Sequence, residues 1–216
     1  MKKVAILFIV LLTSSFVFAQ NTYVPDDKFE QALIDLGYDT TLDDSVLTAN
    51  ISGVTVLDVS RKSISDLTGI EAFTSLIDLS CAFNQLTSLD VSSNTALKTL
   101  ELGSTQLTSL DVSRNTALTY LGCGDSQLTS LDVSRNTALT QLHCNNNQLT
   151  YLNMRNGVKE QLSNFNAKGN PSLTCIETLD PSYATANWTS ANGNIDAGVT
   201  FTYICGVDVD GVSTYN

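Results

Sequence analysis

A 21-residue unit recurs almost letter for letter along the middle of this chain. The copies run Gln85 to Leu97, Gln106 to Leu118 and Gln127 to Leu139, each followed by a less uniform stretch. A fourth, diverged copy starts at Gln148, where Asn153 replaces the aspartate that the others carry as Asp90, Asp111 and Asp132. A short fixed period marks a solenoid, in which each unit buries its apolar edge only against its neighbours. Solenoids serve mostly as binding scaffolds, so the repeat restricts function more than any single residue does.

The apolar spacing inside the unit is specific. Leu76-x-x-Leu79-x-Cys81-x-x-Asn84-x-Leu86 is one half-unit, and Leu86-x-x-Leu89-x-Val91-x-x-Asn94-x-x-Leu97 is the next. Alternation at Leu79 and Cys81, and again at Leu89 and Val91, puts those side chains on the inner face of a short strand. The asparagine that follows sits at a sharp turn, where its amide reaches backbone groups of the adjacent coil. This pattern resembles the bacterial leucine-rich repeat family, in the 21-residue nested class where both half-units carry the strand motif. The resemblance covers residues 54–176. The first unit, from Val54 to Ser75 before Leu76 opens the next, has 22 residues and resembles the internalin type, with Lys62 in its asparagine slot and a turn expected to be solvated. Thr105 and Ser126 also replace asparagine, so the ladder is expected to be incomplete there.

The expected fold class is therefore a repeat solenoid of parallel β-strands and short turns, with little helix and a cap at each end. Five to six coils are predicted, with strands at 79–81, 100–102, 121–123, 142–144 and near 165–167. Half-unit strands at 89–91, 110–112 and 131–133 would line a second face. Residues 20–53 form the N-terminal cap, in which Pro25 to Gly37 reads as a short amphipathic helix with acidic residues at its start and a closing glycine. Residues 177–216 form the C-terminal cap and tail. Residues 1–19 read as an export signal: Lys2 and Lys3, an apolar run from Val4, and a small-residue site at Ala19. No cysteine follows that site to carry a lipid, and no later segment is long enough to cross a bilayer, so the chain is expected to be secreted or at the cell surface, as a monomer.

The formal charge is −11, and loss of the two lysines with the signal makes it more negative. Nucleic acid is excluded as a partner, because phosphate binding needs clustered basic residues. Five cysteines are an odd number for an exported protein. Cys81, Cys123 and Cys144 share one inward slot, where free cysteine acts as a small hydrophobe; buried thiols are expected, with a disulfide between Cys123 and Cys144 on adjacent coils as the alternative. Cys175 and Cys205 lie outside the repeats and are expected to pair, closing the C-terminal cap.

The outward positions divide into two rows. One is monotonous: Asp90, Asp111 and Asp132, flanked by serines, with Arg114 and Arg135 three residues after their aspartates. Coils stack about 4.8 Å apart, so the carboxylates form a like-charge ladder costing roughly 1 kcal/mol per neighbouring pair. A calcium row is the functional reading, although a flat strand lacks the curled loop that supplies 6–8 oxygens. Asp208-Val-Asp210-Gly211 resembles the opening of a calcium loop, without the glutamate that should follow. The other row varies from coil to coil and ends in Glu101, Tyr120, Gln141, His143 and Asn145, an aromatic, a histidine, a carboxylate and amides within reach of one protein or glycan ligand. Catalysis finds no constellation: His143 adjoins Cys144, but strand neighbours point to opposite faces. An exported binding or adhesion module without a cofactor is the favoured function. The alternatives are an ice- or surface-binding solenoid, from the regular threonines at 87, 108, 129 and 150 and at 95, 116 and 137, or a passive spacer.

Overall fold

The computed structural model describes residues 20–206, so the export segment 1–19 and the Asp208–Gly211 run lie outside the described residues. The chain winds as a parallel β-solenoid of about seven turns. One face is a six-stranded parallel sheet built from Val56–Asp58, Asp78–Ser80, Thr99–Glu101, Tyr120–Gly122, Gln141–His143 and Asn164–Asn166. The register places Leu57, Leu79, Leu100, Leu121, Leu142 and Phe165 in one inward column. All six are buried, and Val59, Cys81, Leu102, Cys123, Cys144 and Ala167 form a second buried column beside them. Each strand is three residues long because only its central leucine must face inward before the chain turns.

The turns are clamped by asparagine. Asn84 donates to the carbonyls of Val59 and Cys81, both at 2.9 Å, while its Oδ1 accepts the N–H groups of Lys62 and Ile64. The Lys62 turn is thus held from the next coil rather than solvated, and the Lys62 side chain reaches out to Asp35 at 3.2 Å. Asn147 and Asn170 repeat the clamp. Thr105 and Ser126 close the gap through their own hydroxyls, 3.0 Å apart. On the half-units Asn94, Asn115 and Asn136 are fully buried, each donating to two carbonyls of the coil before. Such bonds hold buried backbone groups that the open turns would otherwise leave unpaired.

The second face departs from expectation. Of the three predicted half-unit strands only the last forms, at Ser130–Asp132, where it pairs with Tyr151–Met154. Cys175–Thr178 and Thr200–Thr202 then extend this sheet to four strands, which takes the winding past the five to six coils expected. Residues 89–91 and 110–112 pair with nothing as strands, and Leu89 and Leu110 are only partly buried. Beside residues 89–91, the first unit contributes a 3₁₀ turn at Ile70–Ala72, which offers no strand edge to start a ladder. The coils stand apart here and leave open grooves.

Both ends are capped. The N-terminal helix spans Asp27–Asp35, with Asp26 as its N-cap and Gly37 at φ +81° beyond its end, as the sequence signals require. Its Phe29 and Leu33 are buried over the first coil. At the far end Cys175 and Cys205 form a disulfide with a Cα–Cα distance of 5.9 Å, while Cys81, Cys123 and Cys144 remain free and buried. A helix at Pro181–Asn187, absent from the sequence reading, packs Tyr183 and Trp188 beside Phe165 and Phe201. Asp180 as its N-cap and Pro181 as its first residue were the overlooked signal.

Candidate functional site

The outward side chains of the six-stranded sheet differ from coil to coil, and the geometry draws several together. Thr99 pairs in register with Tyr120 and Gln141, and Glu101 with Gly122 and His143. The Tyr120 hydroxyl donates to Glu101 Oε2, and the Gly103 N–H donates to Glu101 Oε1 at 3.1 Å. Burial, followed by this hydrogen bond to a carboxylate, pushes the Tyr120 hydroxyl pKa up. The His143 ring meets the Tyr120 ring edge-on, centroids 5.6 Å apart. Between them Gly103, Gly122 and Gly124 form a floor without side chains. A Cβ on Gly122 would collide with the Glu101 carboxylate and lie 2.8 Å from the Tyr120 oxygen, and one on Gly124 would lie 2.8 Å from Asn145 Oδ1. The result is a shallow depression of about 180 Å³ lined by Phe83, Glu101, Tyr120, His143 and Asn145 among others. Four of the five residues singled out by sequence therefore meet; Gln141 lies on the same strand as His143 but does not line the depression.

Phe83 was missed. It occupies the turn position that Ser104, Asp125 and Asn146 fill in the following coils, and all four have φ between 53° and 60°. Polar residues tolerate that left-handed conformation, whereas a phenylalanine there is strained and bulky. Phe83 is nevertheless 49% exposed, with the Arg61 guanidinium 3.7 Å above its ring centroid. A φ value is not legible in a sequence, but an aromatic in a column of Ser, Asp and Asn was a signal.

The opposite, acidic row has a different character. Asp90, Asp111 and Asp132 each accept the N–H of the serine two residues on, at 2.8 Å. Hydrogen bonds from the hydroxyl and N–H of Ser92 hold the Asp90 carboxyl below its usual range, and those of Ser113 do the same for Asp111. These aspartates brace their own turns. Their oxygens do not converge on one point: among the described residues, the one group of three potential ligands within 4.8 Å of one another is Glu30, Asp39 and Asp43 in the N-terminal cap. There Glu30 is already occupied by the N–H groups of Asp43, Asp44 and Ser45. A groove of about 900 Å³ runs between the half-units, walled by Asp111, Arg114, Asp132 and Arg135. It is the larger depression, but its walls repeat the same residues in each coil. The threonine rows are partly engaged too, since Thr129 and Thr150 donate their hydroxyls to carbonyls of the coil before.

No protein-family profile matches the sequence. Internalin J of Listeria monocytogenes is 36% identical over 75 residues, which is 35% of this chain and 8% of that protein. The solved functional domain of InlJ, described as including a cysteine ladder, superposes with a TM-score of 0.59 at 33% identity, over 74% of this chain and 38% of that one. An internalin of the same organism, InlF, also gives 0.59, at 19% identity over 74% of this chain and 53% of that one. The chain is related to the internalin-type leucine-rich repeat proteins. It spans well under two thirds of the length of these relatives, and the likeness to InlF is one of fold. The inward cysteines of this chain form a column broken at Leu102. Among the described residues, no helix is long and apolar enough to cross a membrane.

Proposed function

We propose that this chain is an exported module that binds a protein ligand across its six-stranded face, centred on Glu101, Tyr120, His143 and Asn145 and bordered by Phe83 and Arg61. Internalin-like leucine-rich folds commonly bind proteins, which supports a binding role in general. The observation that carries the choice of face is the Glu101–Tyr120–His143 cluster on its glycine floor. These polar side chains are fixed to one another before any ligand arrives, which lowers the ordering cost of binding. They contribute nothing to the core, which lies on the other side of the strands. The repeated aspartates of the opposite face, by contrast, are engaged by their own turns.

A protein suits this face better than a glycan, because it offers scattered aromatic and charged anchors rather than a continuous aromatic platform. The test is a protein array probed with the wild type and with the Tyr120→Ala/His143→Ala double variant. The reading expects captured ligands to be lost or weakened by roughly 2–4 kcal/mol in the variant, as for central anchors. Ligands retained by it at full affinity would refute the face.

A further inference from the structure

We infer that the ligand presents a cationic side chain, a lysine or arginine, that seats on Glu101 above the glycine floor. The inference rests on the ligand face proposed above and adds the chemistry of the contact. The first three strands of that face carry Asp58, Asp78 and Glu101 at outward positions, and no strand of the sheet carries an outward lysine or arginine. The whole chain carries −11. Such a face attracts a basic partner and repels an acidic one. The charges of opposite sign at its border include Arg61, which lies over Phe83, Lys98, which directly precedes the Glu101 strand, and Lys168 at the far end of the sheet. None of the three forms a hydrogen bond or ion pair to Glu101 among the described residues.

Glu101 is built to receive a charge. Its carboxylate is partly buried, and each oxygen takes one hydrogen bond, from Tyr120 and from the Gly103 N–H, which fixes its direction while leaving lone pairs open. Gly122 makes room for the carboxylate and the Tyr120 hydroxyl to lie against the sheet; any side chain there would strike them. The depression, about 180 Å³, has room for one long side chain and not for a sugar chain or a helix. The Tyr120 and His143 rings lie beside it, and an aromatic face favours a cation further. A carboxylate held at the bottom of a small, aromatic-sided depression on an acidic face is complementary to an ammonium or guanidinium tip with an apolar stem.

The test uses three pentapeptides, acetyl-Gly-Ser-X-Ser-Gly-amide, with X as lysine, norleucine or glutamate. Amide chemical shifts of Gly103, Gly122 and Gly124 are followed in the isotope-labelled chain and in Glu101→Gln, which keeps the shape, accepts the Gly103 N–H through its carbonyl oxygen and can donate its NH₂ to the Tyr120 oxygen. The lysine peptide should move these three amides saturably. It should bind roughly tenfold more weakly to the variant, the loss of one partly desolvated charge pair. Norleucine and glutamate peptides should leave the amides in place. Equal shifts from norleucine would make the site apolar and overturn the inference, as would lysine binding unchanged in Glu101→Gln or absent from the wild type. A protein ligand lost in Tyr120→Ala/His143→Ala yet insensitive to Glu101→Gln would discard the cation while leaving the face intact.

Discussion

Asp26 ties the N-terminal cap to the solenoid, and its removal has a calculable cost. One oxygen accepts the N–H groups of Lys28 and Phe29 at 2.9 and 3.0 Å, starting the cap helix. The other accepts the Ser65 N–H, the Ser65 hydroxyl and the Asp66 N–H at 2.8 to 3.0 Å, from a loop of the first repeat 39 to 40 residues away. Loss of an N-cap costs about 1 kcal/mol. Hydrogen bonds to a charged group contribute about 1.5–3 kcal/mol, but Asp26 is only partly buried and the Ser65 hydroxyl can turn to water, so the second oxygen contributes about 2 kcal/mol. Asp26→Ala should therefore cost about 3 kcal/mol, or roughly 6–12 °C in melting temperature for a chain of this size. Asp26→Asn keeps the helix cap but aims an NH₂ at two N–H donors, so it should recover no more than the capping part. Burial alone would raise the Asp26 pKa, but the hydrogen bonds from Ser65, Phe29 and Asp66 outweigh it and hold the carboxyl below its ordinary 3.8. A depressed folded pKa means that this stability is present at neutral pH and is lost as pH falls below about 4. Melting followed by circular dichroism at pH 7 and at pH 3 checks both statements. An Asp26→Ala variant within 0.5 kcal/mol of wild type at pH 7, or a gap undiminished in acid, would refute the docking argument.

Phe83→Gly should remove left-handed strain and keep or raise stability, by up to about 1 kcal/mol, while weakening any ligand that uses Phe83; a clear loss of stability by chemical denaturation would show that the ring serves packing instead. Burial raises the thiol pKa of Cys81 and of Cys144 to about 12 and pushes that of Cys123 well above its ordinary range, so none should react with iodoacetamide in the folded chain at pH 8. Mass spectrometry should find three labelled thiols after denaturation and five after reduction as well, and any labelling of the native protein would contradict the burial. Leu121→Asp places a charge in a fully buried column between two coils, which should cost more than about 4 kcal/mol; an unchanged melting curve would sink the coil register.

Much of this was legible because the repeat restates one solution several times. Leucine at 79, 100, 121 and 142 and asparagine at 84 and 147 fix which side faces in and where the chain turns. Strand bounds came out one residue early, since pairing centres on the leucine rather than starting at it. The second sheet was misjudged at 89–91 and 110–112, because the same half-unit sequence pairs or stands apart according to what lies on the adjacent coil. Lys62 was misread for a related reason: its turn is held by Asn84 of the next coil, a contact 22 residues away. The variable row was legible as variation, but the Glu101–Tyr120 bond and the glycine floor depend on register. Phe83 stayed hidden because strain is a property of backbone angles.

The most direct measurement compares the two faces against one ligand. Once an array yields a protein bound by the wild type, its affinity is measured by calorimetry for Tyr120→Ala/His143→Ala and for Asp111→Asn/Asp132→Asn, whose asparagines can still accept the Ser113 and Ser134 N–H groups. Binding should weaken by roughly 2 kcal/mol or more in the first variant and stay within about 0.5 kcal/mol in the second. The reverse pattern would move the binding site to the acidic groove and contradict the account.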